Sequence, residues 1–97
     1  MLHLIVQGSF DKVFVERLGA GDDIVLQQSA VFVIAQGHDK NALILQVLQK
    51  ACSVYVLKDE LELFGLSEEQ ILSDVKVIDY SNLVELTVKH KAIKTWR

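Results

Sequence analysis

Short apolar runs alternate with amphipathic stretches along this chain. Met1-Leu-His-Leu-Ile-Val6 carries apolar residues on both faces and closes at Gln7-Gly8-Ser9, the pattern of a buried strand. Ser9 suits the N-cap of a helix with Phe10, Val13, Phe14 and Leu18 on one stripe, and Gly19 stands where a C′ glycine ends such a helix. Gly21-Asp22-Asp23 is turn chemistry leading into a second strand, Ile24-Val-Leu26. Ala30-Val-Phe-Val-Ile-Ala35 has strand propensity, yet Ser29 and Gly37 would also cap a short buried helix, and periodicity leaves both readings open.

Asp39 or Asn41 opens a helical pattern with Leu43, Ile44, Val47 and Leu48 that finishes near Lys50. Val54-Tyr-Val-Leu57 is a third strand, followed by a short helical piece through Leu61 and Phe64 that Gly65 ends. Ser67 and Gln70 have capping-box spacing. Val75-Lys-Val-Ile78 is a fourth strand. Asp79 or Ser81 then caps a helix holding Leu83, Val84, Thr87 and Val88, with Glu85 and Lys89 spaced as an i, i+4 ion pair. The tail from Ala92 to Arg97 offers one more edge strand. Strands recurring between helical patterns imply βαβ units. The expected fold is α/β, three-layer α/β/α, with a mostly parallel sheet of four to five strands covered on both faces.

Composition narrows the function classes. Ninety-seven residues allow one domain, taken as 1–97. Surface scaling gives roughly 5,600 Å² left accessible out of about 15,800 Å² for the extended chain, so the core suffices without staples. With 51% hydrophobic and 24% charged residues the chain is an ordinary globular one, and its single cysteine excludes a disulfide framework or a multi-thiolate zinc site. A net charge of −3 gives no whole-molecule reason to expect nucleic acid binding. The longest apolar runs fall far short of the ~20 residues a membrane span needs. No basic n-region precedes the first apolar run, so a signal peptide does not fit and the cytoplasm is the expected compartment.

Candidate chemistry is sparse. In open parallel sheets ligands gather where strands end and helices begin, which here means Gln7 to Phe10, Gln27 to Ser29, Lys58 to Glu60 and Asp79 to Ser81. Cys52 sits before the third strand, on the opposite edge, and reads as a buried, inert thiol. Gly19-Ala20-Gly21 follows a helix, the reverse of a dinucleotide fingerprint, and Gln7-Gly8-Ser9 has too little glycine and no lysine to cradle phosphate. His3, His38 and His90 lack the spacing of metal ligands; His3 reads as a core or interface histidine, the other two as solvated. Asp22 and Asp23, Glu60 and Glu62, and Glu68 and Glu69 read as solvated surface or helix-start charges. Lys89, Lys91, Lys94 and Arg97 place +4 in residues 89 to 97, with Trp96 among them. A solvated helix end is the simpler reading; a phosphate-contacting tail with a stacking indole, or Trp96 in a partner interface, are the rivals.

The opening Met1-Leu2-His3, the stretch Val54-Tyr-Val-Leu-Lys-Asp-Glu-Leu61 with Gly65-Leu66, and above all Ile78-Asp-Tyr80 with Leu83-Val-Glu-Leu-Thr-Val-Lys-His90 and Trp96 resemble the DsrH/TusB family over nearly the whole chain. The resemblance implies a DsrE/F/H-type fold, in which Ala30 to Ala35 is a short helix. It implies a non-catalytic structural subunit of a TusBCD-like sulfur-relay complex that serves 2-thiolation of the tRNA wobble uridine. The partners would be TusC- and TusD-like paralogues in a heterohexamer, with tRNA and a TusE-like acceptor met indirectly and no membrane. The transferred sulfur would ride on the TusD-like partner. Some DsrH relatives in sulfur oxidisers carry a cysteine in the region where this chain has Phe10 to Gly21 and none, which favours the tRNA branch over a sulfur-oxidation complex. The enzyme rival is a stand-alone sulfur acceptor using Cys52. No catalytic residue, metal or cofactor is carried over; the candidate contacts to a partner or to tRNA are His3, Phe10, Tyr80, Lys91, Lys94, Trp96 and Arg97. Made without its partners, such a subunit is expected to self-associate through its uncovered apolar surface.

Overall fold

The structure, a computed structural model, describes residues 1–6 and 10–96. The turn Gln7-Gly8-Ser9, with the expected Ser9 cap, and Arg97 lie outside the described residues. Five strands, β1 (Leu2–Ile5), β2 (Asp23–Leu26), β3 (Ser53–Leu57), β4 (Lys76–Ile78) and β5 (Ile93–Trp96), form one parallel sheet in the order β4-β3-β2-β1-β5. The helices are α1 (Lys12–Glu16), α2 (Asn41–Gln49), α3 (Lys58–Leu63) and α4 (Tyr80–Lys89), with 3₁₀ segments at Gln28–Ile34 and Glu68–Gln70. The α/β fold with a parallel sheet is as expected, and the tail is the fifth, edge strand. The accessible surface is 5545 Å², close to the value that mass alone gives.

Alternation along the strands divides the sheet unequally. Ile5, Ile24, Leu26, Val54 and Val56 point to one face, where α1, α2, α3 and the Gln28–Ile34 segment bury Phe14, Ile44, Val47, Leu61 and Val31 against them. Leu2, Leu4, Val25, Tyr55 and Ile78 point to the other face. Among the described helical residues only Leu83 and Leu86 of α4 join that second cluster. One face thus carries most of the core, while the other rests on a single helix.

Local chemistry explains the departures from the sequence pattern. Helix α1 starts later than expected because the Asp11 carboxylate caps it, accepting the Phe14 N–H at 2.9 Å. It closes at Arg17, two residues before Gly19, and the left-handed turn residue is Gly21 (φ +87°). The shift turns Val13, expected on the buried stripe, out to solvent, while Phe14, Val15 and Leu18 are buried. Ala30 to Ala35 lies in and just after the 3₁₀ segment, helical rather than extended, with Ala30, Val31, Val33 and Ile34 buried. The Asn41 amide ties its exit, donating to the Val33 and Ala35 carbonyls at 2.8 and 3.1 Å. The Ser67–Gln70 capping box forms, and Asp79 is the cap of α4. Lys89 does not pair with Glu85; its Nζ reaches Asp23 Oδ2 at 3.2 Å, a buried carboxylate.

Candidate functional site

The N-terminal edge of the sheet holds a polar cluster built on two consecutive aspartates. Asp22 precedes β2 and turns to the well-covered face. Its Oδ1 accepts from the Met1 ammonium at 3.0 Å, and its Oδ2 meets His3 Nε2 at 3.0 Å and the Gly19 N–H at 3.1 Å. On the other side of the His3 ring, Nδ1 accepts the Trp96 indole N–H at 3.0 Å. Since an indole only donates, the His3 proton sits on Nε2 and is given to Asp22. Phe14 packs edge-on against both His3 and Trp96, with centroids 5.4 and 5.0 Å away. Burial opposes the Asp22 charge, but the hydrogen bonds from His3, the terminal ammonium and Gly19 outweigh it and hold the carboxyl down at about 2.

Asp23, the first residue of β2, turns to the opposite face and is buried. Its Oδ2 meets His90 Nε2 at 2.7 Å and Lys89 Nζ at 3.2 Å, so the end of α4 is fastened to the sheet. Two expectations are corrected here. Asp22 and Asp23 are not solvated turn acids, and His90 is nearly buried rather than solvated, because the fold brings complementary partners onto both carboxylates. The described part of the basic segment, 89 to 96, is likewise not a helix end alone. The helix stops at Lys89, and Ile93–Trp96 pairs with β1. Nothing local in the sequence marks these contacts; the one available signal was a pair of carboxylates at the mouth of an apolar strand, where charge demands a partner.

Cys52 lies at this same edge, immediately before β3. It is buried, and its Sγ lies 3.2 Å from the Gly19 carbonyl and 3.8 Å from that of Lys50. Burial, and secondarily the Asp22 charge, push its thiol up from the ordinary value, which disfavours the thiolate. Among the described residues no three His, Cys, Asp or Glu side chains gather as a metal ligand set.

The opposite, C-terminal edge is tied together differently. Gln28 adopts a left-handed backbone (φ +50°), and its N–H donates to Glu60 Oε2 at 3.1 Å. Leu57, Leu63 and Tyr80, with Asp59 and Glu60, line an open cavity of about 160 Å³. The residues singled out as contacts are therefore scattered. His3 and Phe10 are buried inside the chain, and Trp96 is half-buried with Lys94 Nζ 4.3 Å above its ring. Lys91 and Tyr80 are exposed at opposite ends of α4, and Arg97 is outside the described residues. Val84 and Val88, which the sequence places on this helix without assigning them to a surface, join Tyr80 in an exposed apolar stripe on α4.

Fold and edges together define a small parallel α/β domain in which, among the described residues, the buried polar side chains are tied off within the chain and the second sheet face is thinly covered. No described helix is long and apolar enough to cross a membrane. The chain matches the family model described as DsrH like protein over residues 8–93, and it belongs to that family. It is 34% identical to Protein TusB of Photorhabdus laumondii over 84 residues, covering 87% of this chain and 84% of that protein. It is 31% identical to Protein TusB of Buchnera aphidicola, covering 99% of this chain and all of that one (100%). Among solved structures it superimposes on MTH1491 of Methanobacterium thermoautotrophicum, a protein of unknown function, with a TM-score of 0.78 at 11% identity, covering 98% and 96% of the two chains. It also superimposes on Tm0979 of Thermotoga maritima with a TM-score of 0.62 at 27% identity, covering 94% and 95%.

Proposed function

We propose that this chain is a non-catalytic structural subunit of a cytoplasmic sulfur-relay complex that serves 2-thiolation of the tRNA wobble uridine, assembled with TusC- and TusD-like paralogues in a heterohexamer. Kinship with proteins named TusB supports the pathway. The observation that carries the non-catalytic part is the setting of Cys52, the only sulfur nucleophile in the sequence. A relay thiol must ionise, meet a donor persulfide and then meet an acceptor, which requires exposure and a lowered pKa. Cys52 has neither, and it lies at the sheet edge away from the strand C-termini. The subunit then contributes surface and shape, and the sulfur passes over a cysteine of the TusD-like partner.

The test is complementation of a strain lacking the subunit, with 2-thiouridine in tRNA read by mass spectrometry and assembly read by co-purification of the paralogues. The wild-type chain and Cys52→Ser are expected to restore thiolation equally and to recover both paralogues. Loss of thiolation by a Cys52→Ser subunit that still assembles would overturn the non-catalytic role. A wild-type chain that fails to co-purify with paralogues that assemble with each other would overturn the subunit role.

A further inference from the structure

Helix α4 presents an outer face that the chain leaves uncovered. Tyr80, Val84 and Val88 are 64%, 57% and 81% exposed, and their i, i+4, i+8 spacing sets them in one stripe. Two of the polar side chains beside the stripe are already occupied. The Thr87 hydroxyl donates to the Val84 carbonyl at 2.6 Å, and Lys89 is folded onto Asp23. Glu85 lines the groove between α4 and β4 with Lys76.

Charge is distributed unevenly along this face. Beside Tyr80, at the start of α4, stand Asp59 and Glu60 at the rim of the 160 Å³ cavity, with the 75% exposed Leu63 in its wall. Beyond Val88, at the other end, stands the exposed Lys91. The stripe is also symmetric: Tyr80 and Val88 lie four residues either side of Val84, about 6 Å along the axis in each direction.

We infer that this face is a two-fold docking surface for a second copy of the same chain, with α4 packed antiparallel on α4 and Val84 at the axis. In that register Val88 of the second copy meets Tyr80 and the cavity walled by Leu57 and Leu63, and Lys91 of the second copy approaches Asp59. The same contacts repeat on the other side, because a two-fold interface uses one patch twice. Acidic end meets basic end and helix dipoles run opposite, so this pairing matches charge where a parallel one would oppose it. Three apolar side chains and a charged rim cover less than the roughly 800 Å² per partner of a standard stable interface, so the dimer is reversible.

Sedimentation of the isolated full chain over a range of concentration tests this, independently of any sulfur chemistry. A monomer–dimer equilibrium is expected, with Val84→Glu monomeric at every concentration and native by far-UV circular dichroism. Lys91→Glu should weaken the dimer about tenfold, and adding Asp59→Lys should restore it. A wild-type chain that stays monomeric at millimolar concentration would overturn the proposal, as would a dimer that survives Val84→Glu. Should Val84→Glu leave dimerisation untouched yet abolish capture by the paralogues, the face belongs to a paralogue and the second-copy assignment fails. If Val84→Glu does not fold, Val88→Lys and the charge swap carry the same decision.

Discussion

Asp22 and Asp23 are adjacent in the chain but fasten opposite faces of the sheet. Asp22 holds His3, and through it Trp96, on the face that carries most of the core; Asp23 holds His90 and Lys89 on the face covered by α4 alone. Strand geometry makes this division, since successive side chains leave a strand on opposite sides. The C-terminal quarter of the chain is thereby pinned twice to one short stretch of sequence.

The Asp22 clasp makes stability depend on acid. Its carboxyl is near 2 in the folded protein against 3.8 as the ordinary value. A lowered folded value means that the contribution is full above about pH 4 and is lost as pH falls from about 4 towards 2; it amounts to about 2 kcal/mol. Urea unfolding of wild type and Asp22→Asn should differ by about that much at pH 7, and the gap should close at pH 2. A gap that stayed constant across this range would mean that the carboxylate charge contributes nothing.

Trp96, the one tryptophan in the sequence, reports directly on the edge strand. Trp96→Phe keeps the ring against Phe14 but leaves His3 Nδ1 without its donor, a loss of about 1–2 kcal/mol. Chemical denaturation followed by circular dichroism measures it. In the wild type, indole emission should move to the red together with the loss of secondary structure; emission already that of a solvated indole before unfolding would contradict the packing.

How much of this was legible in the sequence follows from range. Leu2–Ile5, Asp23–Leu26 and Ser53–Leu57 declare themselves through runs of apolar side chains, and Asn41–Gln49 through its 3.6-residue spacing, because those patterns are written within one element. The Asp79 cap and the Ser67–Gln70 box are equally local. The clasps are not. His3 and Trp96 are 93 residues apart, Asp23 and His90 67, and after Gly21 the two aspartates carry the local signature of a turn. The apolar stripe on α4 was hidden for a related reason. The sequence places Leu83, Val84, Thr87 and Val88 together on this helix without marking which face is covered; Leu83 and Leu86 are its described apolar residues packed on the sheet, which leaves Val84 and Val88 outward.

The thin second face makes α4 the first element to open. Among the described residues its cluster contains just Leu2, Val25 and Leu86 as buried members, so the helix relies on the Asp23 contacts at its end. Asp23→Ala leaves His90 buried beside a missing partner and should cost about 3 kcal/mol. Native-state hydrogen exchange should show the amides of residues 84–89 exchanging faster than those of β1–β3 already in the wild type, and faster still in this variant. Uniform protection across α4 and the central strands would show that the two faces open together.

Ala51 closes α2 in a left-handed conformation (φ +61°), a place where glycine usually stands. A Cβ in that region costs about 1 kcal/mol, offset in part by the extra freedom glycine gains in the unfolded chain. Ala51→Gly should therefore raise stability by up to about 1 kcal/mol, seen as a higher urea midpoint with an unchanged slope.

The Cys52 thiol should be silent in the native protein. It is covered, its Sγ is directed at the Gly19 carbonyl, and burial together with the Asp22 charge keeps it protonated. A disulfide reagent at pH 8 should label it only as fast as the protein opens. The labelling rate should rise with urea in parallel with the unfolded fraction, and Asp22→Asn should accelerate it through lost stability. Under strongly native conditions the half-time should exceed that of the urea-unfolded chain by at least about a thousandfold, the factor that corresponds to about 4 kcal/mol of opening free energy. Labelling of the native chain as fast as a free thiol would place the sulfur at the surface, and the case for a passive cysteine would go with it.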